Sequence, residues 1–140
     1  MVTAINKRKA RYKDYDITPK RKKELEGFCE QYPEWKDELI INRISPKGQK
    51  ITGMPYSRTN ETSDETAMLA IRRAEIQEKI DLIENIAKEV DPDIWTYIIK
   101  SVCYLKPYPY LRNVMGIPCS PAALADRRRY FFCLLNLRKK

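Results

Sequence analysis

Apolar residues recur at helical spacing along most of the chain. The longest series follows steps of seven, four, three, four and three residues, at Leu69, Ile76, Ile80, Ile83, Ala87 and Val90. Such steps place side chains on one face of an α-helix and also match a heptad seam, which Arg73 interrupts. The pattern predicts a long helix, opened by Ser63, that packs against other helices of the same chain. The alternative is self-association of two copies through four of these residues: Leu69, Ile76, Ile80 and Ile83.

The remaining segments also read as helices separated by turn residues. Thr18-Pro19 and Ser120-Pro121 each combine a capping side chain with a proline at the first helical position, and Asp91-Pro92 also resembles a helix start. Residues 45–62 are rich in Pro, Gly, Ser, Thr and Asn and predict a loop or linker. We therefore predict an all-α protein with a basic arm over 1–17, a helical segment over 18–44, a linker over 45–62 and a helical domain over 63–140.

The last third of the chain contains the pattern of a helix-turn-helix. A short helix over Tyr108–Met115 is followed by a turn over Gly116–Cys119 and a longer helix over Ser120–Leu137. Leu124, Phe131, Leu134 and Leu135 share one face of that last helix and predict its buried side. Phe131 and Phe132 are adjacent, so only one of them is expected to face the core directly. In a helix-turn-helix the second helix enters the DNA major groove.

Charge is concentrated at the two ends of the chain. The formal net charge is +8. Residues 1–23 carry nine basic and two acidic side chains, and residues 121–140 carry six and one. The middle is mildly acidic, so a polyanion such as nucleic acid is the expected partner of the two ends. With the helix-turn-helix pattern, this favours double-stranded DNA; the alternative is that the positive ends only keep the protein in solution.

Candidate DNA contacts follow from this distribution. Arginine side chains on the last helix are expected to contact guanine or phosphate, its alanines to contact thymine methyl groups, and the N-terminal arm to follow the DNA backbone. The candidates are Ser120, Ala122, Ala123, Arg127, Arg128, Arg129, Arg138 and Lys139 on the last helix, with Lys7, Arg8, Lys9 and Arg11 on the arm.

Several functional classes are disfavoured by composition. The chain contains no histidine and only four glycines, and it has no Gly-rich phosphate loop. We therefore expect neither an enzyme nor a cofactor. Four cysteines lie far apart without a Cys-x-x-Cys pair, which favours free thiols over a metal site. No apolar run approaches the ~20 residues of a membrane span, so we expect a cytoplasmic location without membrane contact.

The C-terminal residues resemble a known family. The stretches YLRNVMGIPCS and DRRRYFFCLLNLRKK are similar to the C-terminus of small phage and prophage proteins of Gram-positive bacteria, the late transcriptional regulators of the RinA and ArpU type. The resemblance covers roughly residues 65–140. It implies a sigma-factor-like helix-turn-helix that binds upstream of late genes and helps to recruit host RNA polymerase.

Two other functions remain open from the sequence. A small terminase-like DNA-packaging protein would also combine a helix-turn-helix with an oligomerising helical region. A protein-binding module is the second alternative, because the last helix begins with Pro121-Ala122-Ala123-Leu124-Ala125, which offers few polar groups to DNA. Its target would be host RNA polymerase or a host defence protein that binds nucleic acid.

Overall fold

The prediction of an all-α fold is confirmed. In the computed structural model, the backbone is described for residues 11–49 and 59–139 and the side chains for residues 11–41 and 65–139. This part of the chain forms helices and no strand. A 3₁₀ helix at Tyr12–Tyr15 precedes six α-helices: α1 (Pro19–Glu30), α2 (Tyr32–Gln49), α3 (Thr59–Val90), α4 (Trp95–Val102), α5 (Tyr108–Asn113) and α6 (Pro121–Arg138).

Local capping explains where α1 and α6 begin. The Thr18 hydroxyl accepts a hydrogen bond from the Arg21 amide at 3.2 Å, and the Ser120 hydroxyl accepts one from the Ala123 amide at 3.1 Å. A proline follows each cap, where its missing amide costs nothing. Both helix starts were predicted correctly, because capping depends on residues only three apart.

Three predicted boundaries were wrong. Both ends of the linker predicted over 45–62 are helical, because α2 continues through Gln49 and α3 begins at Thr59, before Ser63. Residues 50–58 lie outside the described part. Asp91-Pro92 does not start α4. It belongs to the turn between α3 and α4, in which the Asp91 carboxylate accepts a hydrogen bond from the Asp93 amide at 3.0 Å and the Ile94 amide donates to the Asp91 carbonyl.

The chain divides into two compact units. The first comprises Met1–Tyr32 and Leu82–Lys140, and the second comprises Pro33–Asp81. In the first unit, α6 packs against α4, α1 and the 3₁₀ helix, while α4 also contacts α5 and α1. In the second unit, the Trp35 side chain is buried, the Lys79 ammonium lies 5.4 Å from its ring centroid, and Arg72 forms a two-bond ion pair with Glu38.

The core of the first unit is built around α6. Leu124, Phe131 and Leu135 are buried as predicted. Phe132 and Cys133 are buried as well. Neighbouring elements cover α6 on more than one side, and the two rings meet edge to face with centroids 5.5 Å apart.

The predicted basic arm is partly folded. The 3₁₀ helix ends at Asp16, whose left-handed backbone (φ 58°) turns the chain so that Ile17 is buried. The side-chain amide of Asn136 on α6 donates a hydrogen bond to the Tyr15 carbonyl at 3.1 Å, and this bond links the turn to α6. The described part of the arm, from Arg11 onwards, is therefore structured and packs on α6.

Candidate nucleic-acid interface

A tight connection links α5 to α6. Gly116 has a φ of +72°, a left-handed conformation that costs little only for glycine. Its amide donates to the Arg112 carbonyl at 3.2 Å, and the Ile117 amide donates to the Leu111 carbonyl at 3.0 Å. The Tyr108 hydroxyl donates to the Cys119 carbonyl at 2.5 Å. Because these bonds reach both ends of the connection, they fix the direction in which α6 leaves it.

The first turn of α6 lies at the protein surface. Ser120, Pro121 and Ala122 are exposed and Ala123 is half-buried, whereas Leu124 is buried. The predicted contacts Ser120, Ala122 and Ala123 therefore occupy a surface that a DNA groove can approach. They carry no charge, so this surface offers small side chains and helix-end amides.

Two of the three predicted arginines have acidic partners within the protein. The Arg127 Nε lies 3.0 Å from an Asp91 carboxylate oxygen, and the two side chains are only 22% and 18% exposed. Arg129 Nη1 lies 2.9 Å from an Asp126 carboxylate oxygen one helical turn earlier. Each of these two arginines is therefore paired with a carboxylate within the protein, and their contact with DNA stays a prediction.

Arg128 has different surroundings. Its Nε is buried and has no hydrogen-bond partner among the described residues, although the residue as a whole is half-buried. The guanidinium lies close enough to Tyr12 to oppose the rise in the pKa of that phenol, which burial causes. Within the described residues, Arg128 is therefore the member of the arginine row whose Nε is buried without a hydrogen-bond partner.

The end of α6 is held by the rest of the first unit. Arg138 forms an ion pair with Glu89, and that hydrogen bond raises the pKa of the Arg138 guanidinium. The Lys139 ammonium lies 4.9 Å from the centre of the Phe28 ring, and the Lys139 carbonyl accepts a hydrogen bond from Arg21. The side chains of Arg138 and Lys139, both predicted to contact the DNA backbone, thus contact Glu89 and Phe28 within the first unit.

The predicted contacts of the arm are mostly outside the described residues. Lys7, Arg8 and Lys9 lie there. Arg11 is described and exposed, and its guanidinium lies 3.8 Å from the Asp14 carboxylate. Its position beside the 3₁₀ helix leaves it accessible to a polyanion.

The residues predicted to mediate self-association are mainly core residues. Ile76, Ile80 and Ile83 are buried within the chain, so they are not available to a second copy, while Leu69 is half-buried. Their burial agrees with the prediction that this series packs within the chain. Ile71, which widens the predicted stripe, is exposed.

The two units differ in charge. The first contains nineteen basic and ten acidic residues, and the second contains eight and nine. The excess positive charge thus lies in the unit that contains the α5–α6 connection. Electrostatic attraction of a polyanion would act on this unit.

Other kinds of site are not apparent in the described residues. No group of three Cys, Asp or Glu side chains there is placed to hold a metal ion. All four cysteines are free, and three of them are buried. No helix in this part of the chain is long and apolar enough to cross a membrane.

Sequence reasoning missed the partners of the arginines and two further residues. Asp126 precedes Arg129 by three positions, a spacing that predicts an ion pair on a helix. Asp91 is 36 residues from Arg127, and no local signal joins them. Lys106 and Tyr108, which line a cleft beside α6, were also not singled out.

Comparisons of this chain with known proteins identified no relative. No family model matches the chain, and no match was found among curated proteins or among solved structures.

Proposed function

We propose that this chain binds double-stranded DNA through α5, the Gly116 connection and the first turn of α6, and that it acts as a phage or prophage transcriptional regulator. One observation carries the DNA proposal: the first turn of α6 is exposed and capped by Ser120, and it follows a glycine turn whose backbone is hydrogen-bonded. In helix-turn-helix proteins, the N-terminal residues of the second helix contact base edges. The regulatory role comes from the resemblance of the C-terminal residues.

The composition of this turn favours one mode of binding. Pro121 has no amide hydrogen, and the Ala123 amide already donates to Ser120, so the Ala122 amide is the donor left in the turn. A helix-end amide suits a DNA phosphate, and alanine methyl groups suit thymine methyl groups. We therefore expect strong dependence on phosphate charge and weak discrimination among base pairs.

A matched pair of variants tests the location of the interface. Ala122→Asp adds a negative charge at the second position of α6, where an acidic residue stabilises the helix through its dipole. Thr96→Asp adds the same charge at the second position of α4, also at an exposed site. Both variants should fold, so a difference in DNA binding between them reports the site.

The assay is a gel shift or fluorescence anisotropy titration at several salt concentrations, with random duplex DNA and with duplexes from the neighbourhood of the gene. Log affinity should fall linearly with log salt, and the slope counts the phosphates contacted. We expect Ala122→Asp to weaken binding about tenfold or more and Thr96→Asp to change it about twofold or less, because close like charges repel more strongly. Equal losses in both variants would contradict an interface at the first turn of α6.

A protein-binding role is the second candidate. Two observations favour it: Arg127 and Arg129 already have acidic partners, and Leu105 and Val114 are large apolar residues that are 60% and 65% exposed around α5. Host RNA polymerase, or a host protein that binds nucleic acid, is the proposed partner. A folded wild-type protein that binds no duplex DNA at low salt, yet binds purified RNA polymerase, would favour this role over direct DNA binding.

A further inference from the structure

A cleft lies beside α6, on the side of the connection between α4 and α5. Its volume is about 310 Å³, and its lining includes Lys106, Pro107 and Tyr108 from that connection and Pro121, Leu124 and Arg128 from α6. Small-molecule sites in proteins begin at about this volume. The cleft is therefore large enough for a mononucleotide and too large for an inorganic anion alone.

The charged residues that line the cleft are both basic. Both Arg128 and Lys106 line the cleft, and the Arg128 Nε is buried without a hydrogen-bond partner among the described residues. The Lys106 ammonium lies 4.7 Å from the centre of the Tyr110 ring, a contact that positions it without neutralising it. No acidic residue lines the cleft. An anion bound there would meet two positively charged side chains.

The other lining residues include two prolines and a tyrosine. Pro107 and Pro121 have fixed rings, and Tyr108 is held by its hydrogen bond to the Cys119 carbonyl. The connection itself is shaped by Leu105, whose left-handed backbone (φ 55°) is followed by a hydrogen bond from the Lys106 amide to the Lys100 carbonyl. The aromatic ring of Tyr108, which lines the cleft, suits the stacking of a planar group such as a nucleobase.

We propose that this cleft binds a nucleotide 5′-monophosphate, with Arg128 and Lys106 holding the phosphate and the ring walls contacting the base. A phosphate monoester carries nearly two negative charges at neutral pH and matches both cations, whereas a carboxylate would neutralise only one. Arginine binds phosphate oxygens through a planar pair of donors, and lysine adds a point charge.

This site differs from the proposed duplex interface. An internal phosphate of a duplex is a diester with a single charge, and its base is paired and stacked. The ligand is therefore a free mononucleotide or the phosphorylated 5′ end of a strand. Binding of a mononucleotide in the cleft does not require that the protein binds a duplex.

Titration of the full chain with adenosine 5′-monophosphate (AMP), followed by calorimetry and by NMR shifts of backbone amides, tests the proposal. We expect Arg128→Gln and Lys106→Gln each to weaken AMP binding about tenfold or more, because each removes a charged hydrogen bond. Arg112→Gln is the matched control: Arg112 is an exposed cation at the end of α5, outside the cleft, and its loss should change AMP affinity about twofold or less, as for a remote surface charge.

Further ligands separate the parts of the proposed site. Adenosine and inorganic phosphate should each bind at least about tenfold more weakly than AMP, because each lacks one of the two contacts. A short 5′-phosphorylated oligonucleotide that binds more tightly than AMP, with loss on dephosphorylation, would identify the strand end as the ligand; the reverse order would identify the free nucleotide.

Two outcomes would overturn the proposal. One is the absence of amide shifts around the cleft at millimolar AMP with folded wild-type protein. The other is an equal loss of affinity in Arg112→Gln and in the two cleft variants, which would show that AMP responds to overall charge. Circular dichroism of each variant checks its fold, and Lys106→Gln keeps the test valid if Arg128→Gln is unstable.

Discussion

Replacing Arg127 by alanine should destabilise the fold more than it affects DNA binding. The Arg127 guanidinium joins α6 to the turn between α3 and α4 through its 3.0 Å contact with Asp91, and both side chains are largely shielded from water. Ion pairs at the surface contribute ~0.2–1 kcal/mol. Breaking a buried pair costs ~3–5 kcal/mol. This pair lies between those limits.

The expected magnitude follows from what Asp91 keeps after the substitution. Its other carboxylate oxygen still accepts a hydrogen bond from the Asp93 amide, so the carboxylate is not left without donors. We expect Arg127→Ala to lower the free energy of unfolding by about 2 kcal/mol, between the surface and buried limits. Urea denaturation followed by circular dichroism measures this change, and Arg112→Ala, at an exposed site, should change it by about 0.5 kcal/mol or less.

A double-mutant cycle isolates the ion pair. Asp91→Ala alone also removes the hydrogen bond in the turn, but combining it with Arg127→Ala cancels that shared effect. We expect a coupling energy of about 1 kcal/mol between the two substitutions. If Arg127→Ala left the free energy of unfolding unchanged and abolished duplex binding, Arg127 would belong to the DNA interface and the structural role argued from its contact with Asp91 would be refuted.

Three further predictions concern the core and the thiols. Ile80→Asp should unfold the protein in a thermal melt, because it buries an unpaired charge at a cost above ~4 kcal/mol; a soluble, folded variant would contradict the burial of Ile80. In the native protein, the aromatic disulfide reagent DTNB should react first with Cys119, the one half-exposed thiol, and with the others only as fast as the protein opens; four equal rates would contradict this order. Burial raises the pKa of Cys133 from 9.0 to about 11, so the protonated thiol stabilises the fold fully below pH 9 and this stabilisation is lost as pH rises towards 11. The unfolding free energy of Cys133→Ala should therefore fall less steeply than that of the wild type over this interval, and parallel curves would contradict the shift.

The features predicted correctly from the sequence are local. Ser120 caps α6 because its hydroxyl reaches an amide three residues away, and Thr18 does the same for α1. The buried side of α6 was predicted from side chains that share one helical face, including Phe131 and Leu135. Each of these signals is contained within one or a few turns of helix, so no knowledge of the tertiary packing is needed.

The features that could not be predicted depend on distant segments. The burial of Phe132 requires a second neighbour on the flank of α6, which helical periodicity does not show. The end of α2 at Gln49 contradicts a composition typical of loops, because composition records average preference and not the packing of a particular helix. The cleft beside α6 likewise joins Lys106 to Arg128 across two connections of the chain.

The three consecutive arginines are best understood as three separate residues, because successive side chains on a helix point 100° apart. Arg127 meets Asp91, Arg129 meets Asp126 on its own helix, and Arg128 faces the cleft. Replacing all three by alanine would therefore combine a loss of stability with a loss of ligand contacts, and weaker DNA binding in that variant would not locate an interface. Single substitutions separate the roles: Arg127→Ala should lower stability, Arg128→Gln should weaken AMP binding, and Arg129→Ala should change stability by only ~0.2–0.5 kcal/mol, as for an ion pair within one helix. A common effect of all three on duplex binding, with unchanged stability, would instead show that they act together on DNA.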